Sequence, residues 1–71
     1  DEQKEQLAEV DRKYDTKVAE AKLNAEQKIQ QAGADSQEAE ETQQNLQSEL
    51  STLEEKRERE KAQLRASFED A

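Results

Sequence analysis

The spacing of the apolar residues constrains the fold of this chain more than any other feature of its sequence. In the first half they recur at intervals of 3, 4, 4, 3, 4, 4 and 3 residues, which is an 11-residue repeat. The positions are Leu7, Val10, Tyr14, Val18, Ala21, Ala25, Ile29 and Ala32. An 11-residue repeat corresponds to about 3.67 residues per turn, so it predicts a nearly straight α-helix with one apolar face.

The second half repeats this spacing, which predicts a second helix of similar length. Its apolar stripe, interrupted by two cations, is Ala39, Thr42, Leu46, Leu50, Leu53, Arg57, Lys61, Leu64 and Phe68. When the chain is folded back between Asp35 and Ser36, the two stripes face each other. The residue numbers of each facing pair add to 71, which we call the mirror relation. Small residues then oppose large ones, as Ala25 does Leu46, which is what interdigitating helices require.

The only glycine lies near the sequence midpoint, and its neighbours favour a turn. Gly33 suits the left-handed position that follows many helices. Asp35 or Ser36 can cap the next helix, and Asp35 with Glu38 has the spacing of a capping box. The alternative is a continuous helix that carries one glycine at a cost of about 1 kcal/mol relative to alanine.

These patterns predict an all-α fold, an antiparallel two-helix coiled-coil hairpin with 11-residue (hendecad) periodicity. We expect a first helix over about residues 2–32, a turn over about 33–36 and a second helix over about 37–70, all within one unit of residues 1–71. The alternative architecture is a long continuous helix in an antiparallel coiled-coil dimer, which would bury the same contacts. Low hydrophobicity and high net charge are also typical of disordered chains, but the sustained helical period favours helices.

The charge distribution favours antiparallel pairing over parallel pairing. Residues 33–55 hold seven acidic and no basic side chains, whereas the rest of the chain is close to neutral. A parallel dimer would stack this acidic block against its own copy, and like charges specify against such pairing. In an antiparallel arrangement we expect Lys17, Lys22 and Lys28 to lie opposite the block.

The apolar content predicts that the hairpin associates further. Only eleven large apolar residues are present among 71, and 30% of all residues are hydrophobic. Two helices that touch along one edge bury little of this apolar surface. The free energy gained by this burial offsets only part of a backbone ordering cost of about 1–2 kcal/mol per residue. We therefore expect dimerisation into a four-helix bundle, or attachment to a larger parent protein.

The residue types exclude most site chemistry. The chain contains no histidine, cysteine or methionine, so imidazole bases, thiol nucleophiles and soft-metal sites are absent. No Gly-rich phosphate loop or Ca²⁺-binding loop occurs. The formal charge of −8 disfavours nucleic acids, and no apolar run approaches transmembrane length. We expect no enzyme activity, cofactor, metal, small-molecule substrate, nucleic-acid partner or membrane insertion.

Three residues stand out as exceptions to the stripe pattern. Arg57 and Lys61 occupy stripe positions, where their alkyl stems could cover Tyr14 and Val10 while the charged heads reach water. Arg57 could also stack on the Tyr14 ring. Lys61 could instead meet an acidic partner. Leu23 lies opposite the stripe, and it is either an ordinary exposed leucine or a second contact surface.

The stripe and its Glu, Lys and Gln flanks resemble coiled-coil proteins in general, without indicating one family. We expect a structural or protein–protein interaction module that acts by helix–helix association with itself or with another helical protein. The alternative function is a passive helical spacer or stalk. The charged start without an initiator Met leads us to expect a segment of a larger protein. The sequence carries no signal for a cellular compartment.

Overall fold

The computed structural model describes residues 1–70 as two antiparallel helices joined by a short turn. Helix α1 spans Glu2–Ala32 and helix α2 spans Gln37–Asp70. The Cα atoms extend over 53 × 17 × 9 Å. The longest dimension is about the length of a 34-residue helix, so the helices lie side by side along their whole length. The prediction of an all-α helical hairpin is confirmed, and the chain is not one rod of about 105 Å.

The N-cap of helix α1 is Asp1, the residue that precedes its first turn. The Asp1 side chain accepts a hydrogen bond from the Lys4 backbone N–H at 2.9 Å, and Glu2 and Glu5 lie in the first turn. Carboxylates at this position satisfy unpaired N–H groups and interact favourably with the helix dipole. At the other end the Gly33 N–H donates to the Ile29 carbonyl at 2.9 Å, which is the last bond of the helical pattern.

Gly33 turns the chain, but not in the left-handed helical conformation predicted from its position. Its φ is 95° and its ψ is 130°, whereas a left-handed helical residue has ψ near +47°. A side chain at this position would meet no atom within 4 Å. Glycine is therefore required here by the backbone angles and not by lack of space.

The N-cap of helix α2 is Ser36. Its Oγ accepts a hydrogen bond from the Ala39 N–H at 3.0 Å and donates one to the Gly33 carbonyl at 2.8 Å. The proposed capping box of Asp35 and Glu38 is wrong, because the cap lies one residue later and position N3 is an alanine. The Ser36 hydroxyl also joins the cap to the turn, since the Ser36 N–H donates to the same Gly33 carbonyl.

Candidate helix-packing interface

The two stripes face each other along the hairpin, and we call this contact the seam. The seam side chains that are buried are Val10, Tyr14, Ala21, Ala25 and Ala39. The remaining predicted seam residues are half-buried, namely Leu7, Val18, Ile29, Ala32, Thr42, Leu46, Leu50, Leu53, Arg57, Lys61, Leu64 and Phe68. Among residues 1–70 no large side chain is completely buried. The seam is thus a single shallow layer.

The two helices contribute unequally to this layer. Helix α1 supplies four of the buried residues and helix α2 only Ala39, which is 2% exposed. The α1 side of the central seam is alanine, whereas the facing residues of α2 are leucines such as Leu46 and Leu50. A leucine that lies over an alanine covers it but keeps its own flanks exposed. One pair of helices therefore leaves the leucines of α2 half covered.

A cluster centred on Glu60 joins the helices near their open end, where the chain termini lie. Glu60 Oε1 accepts from Lys13 Nζ at 2.7 Å and Glu60 Oε2 accepts from the Tyr14 hydroxyl at 2.8 Å. The hydrogen bond from Lys13, followed by the one from Tyr14, lowers the pKa of Glu60. The same contacts raise the pKa of Lys13 and of Tyr14, and burial adds to the shift at Tyr14. The Lys13 ammonium also lies 5.2 Å from the centre of the Tyr14 ring.

Two further ion pairs cross the seam on its opposite side. Lys61 Nζ lies 3.1 Å from Asp11 Oδ1, and Arg57 Nη1 lies 3.5 Å from Asp15 Oδ1. Arg57 also pairs with Glu54 on its own helix. Since Asp11 and Lys13 are about 200° apart around α1, these pairs and the Glu60 cluster flank the seam on both sides. The open end is thus held by charges on each side of a thin apolar layer.

One polar contact of the seam differs from its prediction. The cation over the Tyr14 ring is Lys13 and not Arg57, because Arg57 is drawn to Asp15 and Glu54. The Arg57 Nε atom is buried without a hydrogen-bond partner among residues 1–70. Lys61, the candidate for partner contact, has a side chain that is 17% exposed and a charge that is paired with Asp11, and its contact with a partner stays a prediction.

The acidic block does not pair with the lysines expected to face it, and among residues 1–70 its one ion pair, Glu54 with Arg57, lies within α2. Every interhelical ion pair within residues 1–70 joins residues 11–15 to residues 57–61. Lys17, Lys22 and Lys28 form none within 4 Å in that part of the chain. The acidic side chains beside the turn point into solvent, where hydration competes with pairing. The ion pairs therefore align the open end, and the turn half of the hairpin relies on apolar contacts.

Glu60, Asp11 and Lys13 were not singled out from the sequence. They lie beside the stripe, and their pairing depends on an offset of one or two residues from the mirror relation. The observed pairs have residue numbers that add to 72 or 73 instead of 71. Lys13, which the mirror relation pairs with Glu58, bonds to Glu60 instead. A search for opposite charges next to facing stripe positions would have found them.

The remaining surface offers little for other chemistry. Leu23 is the one large apolar side chain in residues 1–70 that is strongly exposed, at 55%. Open grooves run along the seam, one of them lined by Gln6, Glu9, Val10, Glu60, Gln63 and Leu64. Within the described residues, no group of three or more carboxylates is placed to hold a metal ion. Neither helix in that range is long and apolar enough to cross a bilayer.

No protein-family model, curated protein or solved structure matches the chain.

Proposed function

We propose that this chain is a structural or protein–protein interaction module that acts by helix–helix association. Its partner is a second copy of the chain or another helical protein. The observation that supports this best is the half-covered row of leucines on α2, Leu46, Leu50, Leu53 and Leu64. These side chains already face an apolar layer, so a partner helix laid along the seam would extend that layer.

The energetics of burial favour such a partner. A leucine gains about 1.5–3 kcal/mol when it is fully removed from water, and half coverage leaves part of that gain unused. A second helical hairpin would cover the open flanks of several leucines at once, as the helices of a four-helix bundle do.

The alternative function is a passive spacer that sets a distance within a larger protein. A spacer does not require an incompletely covered apolar seam. Because the chain folds back on itself, it also spans only about half the distance that one continuous helix would span. We propose no catalytic role, cofactor or small-molecule ligand for the seam.

The test is the dependence of the melting temperature on protein concentration. If the hairpins associate, the melting temperature rises with concentration, because association stabilises the folded state by mass action. The substitution Leu53→Gln should abolish this rise, whereas Leu23→Gln, on the opposite face of α1, should leave it unchanged. A melting temperature that is independent of concentration in the wild-type chain would support the spacer instead.

A further inference from the structure

We infer that the seam of α2 is also a binding site for helix α1 of a second copy of this chain. Two chains would open at the turn, exchange their α1 helices and form an elongated antiparallel dimer. Each seam would then contain the contacts of the hairpin, made between chains. This inference goes beyond the proposed function and does not depend on it, because it needs no new surface.

The contacts that specify the pairing do not involve the turn. The Glu60 cluster and the Asp11–Lys61 and Asp15–Arg57 pairs join residues that are 42 to 50 positions apart in the chain. All of them lie in the half of the hairpin away from Gly33. They hold α1 antiparallel to α2 whichever chain supplies α1. Opposite charges on both sides of the seam therefore carry the orientation in an exchanged dimer as well.

The turn itself is held by few interactions. Within it, the Gly33 carbonyl accepts from the Ser36 N–H at 3.1 Å and from the Ser36 hydroxyl at 2.8 Å. Its shape depends on the positive φ of Gly33, a conformation that other residues rarely adopt. The rest of the turn is exposed, and its four residues could continue the helix. A short hinge of this kind is the usual site of domain exchange.

The balance between the two forms is set by Gly33 and by concentration. In the closed hairpin α1 is presented to α2 at a high effective concentration through a short connection, which favours the monomer in dilute solution. Alanine at position 33 would disfavour the positive φ and favour a continuous helix, and both effects act in the same direction. We expect Gly33→Ala to shift the equilibrium toward the exchanged dimer by about tenfold or more.

The first experiment is small-angle scattering with absolute mass on Gly33→Ala. The expected result is a dimer with a maximum dimension of about 100 Å, since 71 helical residues extend 1.5 Å each. Ala34→Gly is the matched control, because it changes one methyl group in the same turn and keeps Gly33. That control should keep the wild-type mass and dimension. A Gly33→Ala chain that remains a compact hairpin, or that is disordered at every concentration, would overturn the inference.

A second experiment tests exchange with the native turn. Lys13→Glu and Glu60→Lys each place like charges together in a closed hairpin. In an exchanged dimer of the two variants, one seam brings together the two substituted side chains, at positions 13 and 60. The other seam brings together the native Lys13 and Glu60. Both pairs are then opposite in charge and attract each other. The mixture should therefore form a dimer and melt at a higher temperature than either variant alone.

One outcome of the mixing experiment would contradict exchange. In a side-by-side bundle of closed hairpins each chain keeps its own like-charged pair, so the mixture would behave as the average of its components. Such an average overturns the inference. It leaves the proposed function intact, provided that the wild-type melting temperature still rises with concentration and is still sensitive to Leu53→Gln.

Discussion

The Tyr14 hydroxyl donates a hydrogen bond to Glu60 Oε2 at 2.8 Å, across the seam and 46 residues along the chain. Lys13 donates to the other oxygen of the same carboxylate. One acidic side chain of α2 is thereby tied to two consecutive residues of α1, and this fixes the register of the helices at their open end. The arrangement also gives the seam a spectroscopic probe, because Tyr14 is the only tyrosine and the chain has no tryptophan.

The ionisation of Tyr14 should report the closed seam directly. Its pKa is raised by the hydrogen bond to Glu60 and by burial, so phenolate absorbance should appear at a higher pH than in a free tyrosine, near pH 10. Glu60→Gln removes the negative acceptor and should move the midpoint back toward the ordinary value. Glu58→Gln, the same change on a neighbouring exposed residue, serves as the control and should leave the midpoint in place. Equal midpoints in all three chains would show that Tyr14 does not contact Glu60 in solution.

Stability should depend on pH through Glu60. Its pKa is lowered in the folded state, so its contribution is present above the ordinary carboxyl pKa of about 4.3 and is lost as the pH falls through the folded value. We expect wild type to have a higher urea midpoint than Glu60→Gln near pH 7. The difference should shrink below about pH 4. A difference that stayed constant over this range would mean that ionised Glu60 does not stabilise the fold.

Lys13 and Tyr14 act in the opposite direction at high pH. Because the pKa of each is raised in the folded state, their contributions are complete below the ordinary values of about 10 and are lost as the pH rises through the folded values. The stability advantage of wild type over Tyr14→Phe should therefore be present at neutral pH and vanish in strong alkali. Ionised Tyr14 would repel Glu60. Unfolding midpoints at neutral and alkaline pH would measure this loss, and a wild-type advantage that survived in alkali would count against the assignment.

The cap of helix α2 distinguishes two adjacent residues. Ser36→Ala removes the acceptor for the Ala39 N–H and should destabilise the hairpin by about 0.5–2 kcal/mol. Asp35→Ala changes an exposed residue that holds no cap bond, and it should stay within about 0.5 kcal/mol of wild type. Denaturant unfolding of both variants measures the contrast. A larger loss for Asp35→Ala would restore the capping box that the sequence suggested.

The leucines on the two faces should differ in their effect on stability. Leu50 lies half-buried in the seam, so Leu50→Ala should cost about 1–3 kcal/mol, less than a fully buried leucine. Leu23 is exposed on the far side of α1, and Leu23→Ala should change the free energy of unfolding by no more than about 0.5 kcal/mol. Urea denaturation of the two variants gives the comparison. Similar losses would indicate that Leu23 also packs against something in solution.

Much of the fold could be predicted because two local signals agree. The 11-residue spacing identifies which face of each helix is apolar, and Gly33 with Ser36 marks where the chain reverses. The exact turn could not be predicted, since a glycine after a helix can adopt several positive-φ conformations that the sequence does not distinguish. The choice between Asp35 and Ser36 as the N-cap depends on whether α2 begins one residue earlier or later, and the conformation of the turn decides this.

The polar contacts were less accessible to sequence reasoning. Long charged side chains reach several ångströms along the helix, so Lys13 can bond Glu60 although the mirror relation pairs it with Glu58. Block charges correctly favoured the antiparallel orientation, but they did not indicate that the ion pairs would concentrate at residues 11–15 and 57–61. Side-chain reach and competition with solvent decide such pairs, and neither is visible in residue spacing.

If the half-covered seam makes this hairpin associate, the mass of the wild-type chain depends on its concentration. Absolute mass from small-angle scattering over a dilution series measures this. The mass should rise with concentration from one chain toward two. At the lowest concentrations, the maximum dimension should be near the 53 Å extent of the hairpin. A mass of one chain at every concentration, together with a sharp melting transition, would contradict the account.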